Sequence, residues 1–209
     1  MHHDHDLSQL AARTQEIYQR NAVRFDQERS RVLFERSWLD RFASLLPERA
    51  TVLDAGCGAG EPIARYLVDL GLHVTGIDTS SRMIAIAAKR LPSASWRVAD
   101  MRDLALAEQF DGIVSWHAFF HLTPTQQRTT LSRFAQHLAA AGALLLTVGP
   151  QAGETAGSVG GEAVYHSSLS PAEYRRILAE LGCTVVDFVL EDSSCDYATV
   201  LLAQKGAAA

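Results

Sequence analysis

The stretch Thr51-Val52-Leu53-Asp54-Ala55-Gly56-Cys57-Gly58-Ala59-Gly60-Glu61-Pro62 decides the fold. A short apolar run ends in an acidic residue, passes through three alternate glycines, and meets a proline where a first helical turn tolerates one. Ile63, Leu67 and Leu70 then recur at helical spacing. This is a strand, a tight turn and a helix. Outward from it the alternation continues. Gly71 stops the helix, and His73 to Asp78 is a second strand. Ser80 or Ser81 caps a helix carrying Met83, Ile84 and Ala87 as far as Pro92. Trp96 to Asp100 and Gly112 to Trp116 are the third and fourth strands. Thr123-Pro124-Thr125-Gln126 is a capping box for a helix with Leu131, Phe134 and Leu138 inward, and Ala143 to Val148 is the fifth strand. Ser170-Pro171-Ala172-Glu173 is a second capping box, for a helix ending at Gly182. Thr184 to Leu190 and Tyr197 to Ala203 are strands separated by roughly six residues, too few for a parallel crossover, and so antiparallel. Upstream, residues 7–49 read as helical with a polar break within 20–31. There Phe34, Trp38, Phe42 and Leu45 share one apolar face, and Pro47 ends the helix. The class is α/β: a mostly parallel sheet with helices on both faces and one antiparallel strand at its end.

The chain has 209 residues with 19 basic and 24 acidic side chains, long enough for one domain with a buried core. Residues 1–49 carry eight of each sign, so the net charge of −5 lies wholly in residues 50–209. Nucleic-acid affinity rests on Lys and Arg neutralising phosphates, which excludes a generic polyanion binder. No apolar run approaches the roughly 18 residues of a membrane span. The start, Met1-His2-His3-Asp4-His5-Asp6, is polar and lacks the apolar segment of a secretory signal; its histidines are set aside from site reasoning. Cys57, Cys183 and Cys195 show no CxxC spacing and suit a reducing cytoplasm better than a disulfide framework.

In an open parallel sheet, ligands bind beyond the carboxyl ends of the strands, so the residues there carry the functional reading. A dinucleotide loop needs GxGxxG. Counted from Gly56 the third position is Glu61, and from Gly58 it is Ile63, so both registers fail. Asp54 and Glu61 repel a pyrophosphate and welcome a ligand with positive charge. Asp78 ends the second strand, where a carboxylate can accept two hydrogen bonds from a ribose diol. Asp100 ends the third, followed by Met101, where an acceptor suits an exocyclic amino group such as adenine N6. Each carboxylate also has a plain reading as a cap of the next turn. All three in succession beside a glycine loop imply an adenosine with a cationic appendage.

At these residues the chain resembles a known family. Val52 to Gly60, Gly76-Ile77-Asp78-Thr79-Ser80 and Val98-Ala99-Asp100-Met101 look like the first three motifs of class I S-adenosylmethionine-dependent methyltransferases, over about residues 50–204. The resemblance implies a Rossmann-like seven-stranded sheet in order 3-2-1-4-5-7-6 with strand 7 antiparallel. It implies S-adenosylmethionine as cofactor and S-adenosylhomocysteine as its product. By the same carry-over, Gly56, Gly58 and Gly60 surround the methionine moiety, Asp78 takes the ribose hydroxyls, and Asp100 and Met101 take the adenine. Asp54, Thr79, Met83, Trp116 and His117 complete the expected cofactor-binding set. Tyr18, Ala22, Phe25, Asp26 and Arg29 are similar to the lid of small bacterial members, with Tyr18 over the cofactor. Residues 1–49 are then a helical lid and residues 50–209 the cofactor-binding domain.

The fourth strand runs out as Ser115-Trp116-His117-Ala118, without the prolines and tyrosine of the [D/N/S]PPY motif that relatives acting on nucleobase amines carry. A small-molecule substrate is expected, with no nucleic acid and no membrane. The expected reaction is methyl transfer to an oxygen, nitrogen or sulfur nucleophile by in-line displacement, with the enzyme holding the nucleophile in line and excluding water. A base is needed only if the nucleophile arrives protonated, and histidine suits that task. His73 and His137 read as surface or packing residues. His117, His121, His166 and Tyr165 are the catalytic candidates, although His121 also reads as a cap before Thr123. His117 and His121 lie four apart and, with His166, have metal-ligand spacing; no acidic cluster joins them, and no metal is expected. Residues 149–169, glycine-rich and weakly periodic, read as a loop over the cleft, with Glu154, Glu162, Tyr165 and His166 toward substrate. Phe119 and Phe120 are candidates for an apolar wall. Two rivals stand beside this reading. One is a protein using the same cofactor for other chemistry. The other is an NAD-dependent oxidoreductase, against which the misplaced third glycine and Glu61 argue.

Overall fold

The computed structural model describes residues 7–207; the histidine-bearing start, residues 1–6, lies outside them. The expected strands form β1 (Thr51–Ala55), β2 (His73–Asp78), β3 (Ser95–Val98), β4 (Phe110–Ser115) and β5 (Leu138–Val148). A hairpin of β6 (Gly153–Val159) and β7 (Glu162–Ser168) follows, then β8 (Cys183–Asp192) and β9 (Ala198–Lys205). Seven strands make one sheet in the order β3-β2-β1-β4-β5-β9-β8. β1 to β5 pair in parallel, and β9 is antiparallel to both β5 and β8. This is the expected order, the last two strands numbering two higher because the hairpin intervenes.

Both faces of the sheet are covered, which is why its central strands read as continuous apolar runs. Successive residues point to opposite faces. Leu53, Ile113, Leu144 and Leu201 pack with Phe134, Tyr174 and Leu178, which come from α5 (Pro124–His137) and α6 (Pro171–Glu180). Val52, Val114, Leu145 and Leu202 pack with Trp38, Phe42 and Leu67, which come from α2 (Arg36–Ala43) and α3 (Ile63–Asp69). Thr123 and Gln126 form the full capping box of α5. At α6 the Ser170 hydroxyl accepts from the Glu173 N–H, half of the predicted reciprocal pair. Ser80, rather than Ser81, caps α4 (Ser81–Arg90).

Three expectations are corrected. Residues 153–168 are an antiparallel hairpin, not an irregular loop, closed at Gly160-Gly161 with φ of +60° and +84°. Two left-handed residues in a two-residue turn match the twist of the flanking strands. The polar break expected within 20–31 falls at the far end of that window, α1 running unbroken from Leu7 to Glu28. Its outer face is held by Glu16–Arg20 and Arg24–Glu28 pairs at i, i+4 spacing. The apolar face of α2 is shorter than read. Trp38 and Phe42 are buried, but Phe34 precedes the helix and stands exposed; Leu70, after α3, is exposed as well.

Candidate active site

A cavity of about 1150 Å³ lies beyond the carboxyl ends of β1, β2 and β4 and is roofed by α1. The β1–α3 turn forms its floor. Gly56 has φ +83°, and a Cβ there would stand 2.3 Å from the Ala118 Cβ, so only glycine fits. Gly58, at φ +52°, meets nothing within 4 Å and leaves the floor open.

Five carboxylates line this cavity in different electrostatic states, Asp26 among them held low by Arg90 and Arg31. Asp78 is fixed by two backbone donors, Gly58 N–H to Oδ2 at 3.0 Å and Ser80 N–H to Oδ1 at 2.8 Å. A carboxylate has about four acceptor positions, so each oxygen keeps one for a ligand. Burial pushes Asp78 above the usual carboxylate range, against those two hydrogen bonds. Asp54 is only 2% exposed and makes no hydrogen bond or ion pair among the described residues. Burial pushes it up to about 7, opposed by the Arg29 charge and reinforced by Asp78. At Asp100, burial is outweighed by hydrogen bonds and the carboxyl is held low. It accepts from the Arg102 N–H at 2.9 Å, the Arg102 guanidinium at 2.5 Å and Gln15 Nε2 at 2.8 Å. Glu61 is surrounded by Arg65 at 2.6 Å, Arg90 at 3.3 Å and Arg31 at 3.7 Å. The expected negative field toward a ligand therefore comes from Asp54 and Asp78, not from Glu61.

Two histidines face the same cavity. His121, in the turn Phe119–His121, accepts or donates at both ring nitrogens: Nδ1 to the Tyr165 carbonyl and Nε2 to the Tyr18 hydroxyl, each at 2.8 Å. A carbonyl only accepts, so Nδ1 carries the proton and Tyr18 donates to Nε2. Burial pushes His121 down to about 4. It is neutral near pH 7, and with both nitrogens engaged it is taken out of any metal trio. His117 sits in the left-handed region at φ 53°, with its N–H donating to Thr147 Oγ1 at 2.7 Å. The surrounding protein, with Arg29 second, pushes it down to about 4 although its edge reaches solvent.

Residues 52–142 match a family described as a methyltransferase domain. Over those residues, fewer than half of the chain, it is similar to that family. Over 109 residues it is 31% identical to dTDP-3-amino-3,4,6-trideoxy-alpha-D-glucopyranose N,N-dimethyltransferase of Streptomyces venezuelae, covering 51% of this chain and 46% of that protein. An uncharacterized methyltransferase of Alkaliphilus oremlandii is 26% identical over 145 residues, 68% of this chain and 66% of its own. The chain thus spans under half the length of the first of these relatives. In fold it is similar to the CcbJ methyltransferase from Streptomyces caelestis, with TM-score 0.72 and 17% identity over 90% of this chain and 96% of that one. It is also similar to S-adenosylmethionine-bound CalS10 from Micromonospora echinaspora, with TM-score 0.67 and 20% identity over 89% and 96%.

The cavity gathers most of the residues expected to bind cofactor: Tyr18, Asp54, Gly56, Gly58, Asp78 and Thr79, together with Met83, Asp100, Met101, Trp116 and His117. Gly60 is not among them. It packs under Trp96, whose ring a Cβ would meet at 2.6 Å. The hairpin candidates stand elsewhere. Tyr165 is fully buried and reaches the site through its carbonyl alone. His166 does not line the cavity but lies against Phe120 and His121, with centroids 4.7 and 4.9 Å apart. Phe119 is core, with no exposed surface. Glu154 is exposed on β6. Glu162 binds Arg20 and Asn21 of α1 rather than facing the cavity. Residues that sequence reasoning passed over include Gln15, Cys57 and Arg102. Their signal was weak: Ala11, Gln15, Tyr18, Phe25 and Arg29 share a helix face, but a mixed polar and aromatic stripe reads as a site only once its partner is known. No helix among the described residues is long and apolar enough to cross a membrane.

Proposed function

We propose that this protein transfers the methyl group of S-adenosylmethionine to an oxygen, nitrogen or sulfur nucleophile of a small molecule, leaving S-adenosylhomocysteine. One observation carries the reading. Asp54 is a buried carboxylate with no partner of its own among the described residues, facing the cavity beside the two ligand-ready oxygens of Asp78. An unpaired buried charge is costly unless a cation joins it, and the cofactor's methionine end brings an ammonium and a sulfonium. The donor set fits the group. Asp78 would take the ribose diol, Asp100 and Met101 the adenine side, and Asp54 with the Gly56–Gly58 turn the methionine end.

When bound, the cofactor supplies an electrophilic methyl on sulfur. The chain's own residues position and protect. Trp116, Phe25 and Tyr18 wall the cavity against water. His121, fixed in one tautomer by the Tyr165 carbonyl, keeps the Tyr18 O–H turned to itself and leaves the phenol oxygen as an acceptor. His117, neutral near pH 7, is the group placed to accept a proton from an incoming nucleophile. His166 and Tyr165 act through His121, by contact and by carbonyl. Residues 1–49 serve as the lid, as the position of α1 over the cavity supports, and residues 50–209 as the catalytic domain. Three free cysteines support a cytoplasmic location. The acidic balance supports a small molecule, not nucleic acid, as substrate, as does the sugar-nucleotide name of the Streptomyces venezuelae relative.

Titration calorimetry with S-adenosylmethionine and S-adenosylhomocysteine tests the reading. Micromolar affinity, about −8 kcal/mol, is expected; absence of heat at about 1 mM ligand overturns it. Methyl-labelled cofactor incubated with a metabolite extract, followed by mass spectrometry, identifies the acceptor.

A further inference from the structure

A second cleft, open to solvent, lies beside the first and shares Arg29, Trp116 and His117 with it. Four separate segments line it: the 29–35 connection between α1 and α2, Pro62 before α3, the exit of β4, and the turn joining β8 to β9. The residues it adds include Glu35, Phe34, Val32 and Asp196. None of these four was expected from the sequence to belong to a site.

Its chemistry is distinctive. Glu35 is 4% exposed, yet its ion-pair partner Arg29 stands off at 3.8 Å, longer than a hydrogen bond. Asp196 is exposed at the rim, close enough for its charge to act on His117. Arg29 is the one cation lining the cavity, against two carboxylates. The Cys195 thiol, pushed up to about 12 by burial, is neutral and no nucleophile. Phe34 and Val32 present 48% and 60% of their surfaces to solvent.

The backbone marks the same place. His117 and Asp196 both hold left-handed φ values, 53° and 50°, and Tyr197 follows at 55°. Such values are uncommon for non-glycine residues and gather at functional sites. Two of these three residues line the second cavity, from two unconnected turns.

We propose that this cavity is the methyl-acceptor site, and that the acceptor is a small primary or secondary amine with an apolar group. The inference rests on the methyl-transfer reading above and goes beyond it by naming the substrate class. The ammonium sits between Glu35 and Asp196, the apolar group lies on Phe34 and Val32, and the nitrogen faces the donor past His117. The amine reacts as its free base, the ammonium having lost one proton to solvent water at the open side of the cleft. The nitrogen lone pair forms the new N–C bond as the C–S bond breaks, and the electron pair of that bond stays on sulfur as a neutral thioether. A carboxylate acceptor would meet two like charges, which is discrimination by repulsion.

The test uses the full chain saturated with S-adenosylhomocysteine. Propylamine, benzylamine and phenethylamine are each titrated beside the matched alcohol and carboxylic acid, with binding read by ligand-observed NMR. Expected is a preference of at least about tenfold for amine over alcohol, with the acids weakest. Glu35→Gln and Asp196→Asn should each weaken amine binding about tenfold and leave S-adenosylhomocysteine affinity within about twofold. Asp196 is exposed, so its variant reports even if loss of the Glu35 charge disturbs folding. Amines binding no better than their alcohols, or unaltered amine affinity in Asp196→Asn, overturn the proposal while leaving methyl transfer intact. Failure of the wild-type protein to bind S-adenosylhomocysteine overturns both.

Discussion

At the scale of single residues, Asp54 makes the sharpest prediction. Its folded pKa, about 7, lies above the unfolded value of about 3.9. The folded protein therefore holds a proton that the unfolded chain has lost, and this residue's contribution to stability falls as pH rises from about 4 to 7. Asp54→Asn should raise Tm relative to the wild type more at pH 8 than at pH 5. A cation drawn to Asp54 expels the proton. Binding of S-adenosylmethionine at pH 6.5 should release protons, seen as a calorimetric enthalpy that depends on buffer ionisation, and the variant should lose that dependence. Asp78→Ala should weaken cofactor affinity more than about tenfold, since a buried carboxylate acceptor for two hydroxyls is lost; unchanged affinity would remove Asp78 from the site. Both acids were legible from position alone, at strand ends beside a glycine turn. Glu61 looked equivalent in the sequence. Its neutralisation by Arg31, Arg65 and Arg90 depends on which side chains the fold gathers, and residue order does not display that.

At the scale of elements, the pairing of α1 with the hairpin is the unexpected feature. Thr14 Oγ1 accepts the Tyr165 N–H at 3.0 Å, Arg20 and Asn21 hold Glu162, and Arg24 reaches the Gly160 carbonyl. The hairpin thus fastens the roof. Glu162→Ala should move Tm little, because exposed pairs contribute about 0.2–1 kcal/mol. It should nonetheless raise amide exchange in residues 7–28 and speed S-adenosylhomocysteine release in stopped flow. The strands and helices of the main sheet were legible because burial on both faces gives each a strong period. The hairpin was not, because β6 lies exposed along most of its length and shows no apolar alternation. Gly160-Gly161 was a turn signal in plain view, and it looked like filler without strands to flank it. The second cleft was hidden for a different reason: its walls come from four segments far apart in sequence.

At the scale of the whole molecule, the net charge of −5 acquires a distribution. Many of the carboxylates are answered by arginine, and Asp54 and Asp78, which line the first cavity, have no arginine partner within 4 Å among the described residues. The roof over that cavity is bonded to the body at Gln15–Asp100, Tyr18–His121, Gln19–Ser81 and Asp26–Arg90. The second cleft opens instead at the Asp196 rim. On the proposed function, these two routes predict an ordered cycle: donor enters before the roof closes, acceptor comes and goes by the side opening, and spent donor leaves last, when the roof bonds have broken. Steady-state kinetics should show S-adenosylhomocysteine competing with S-adenosylmethionine but not with the acceptor.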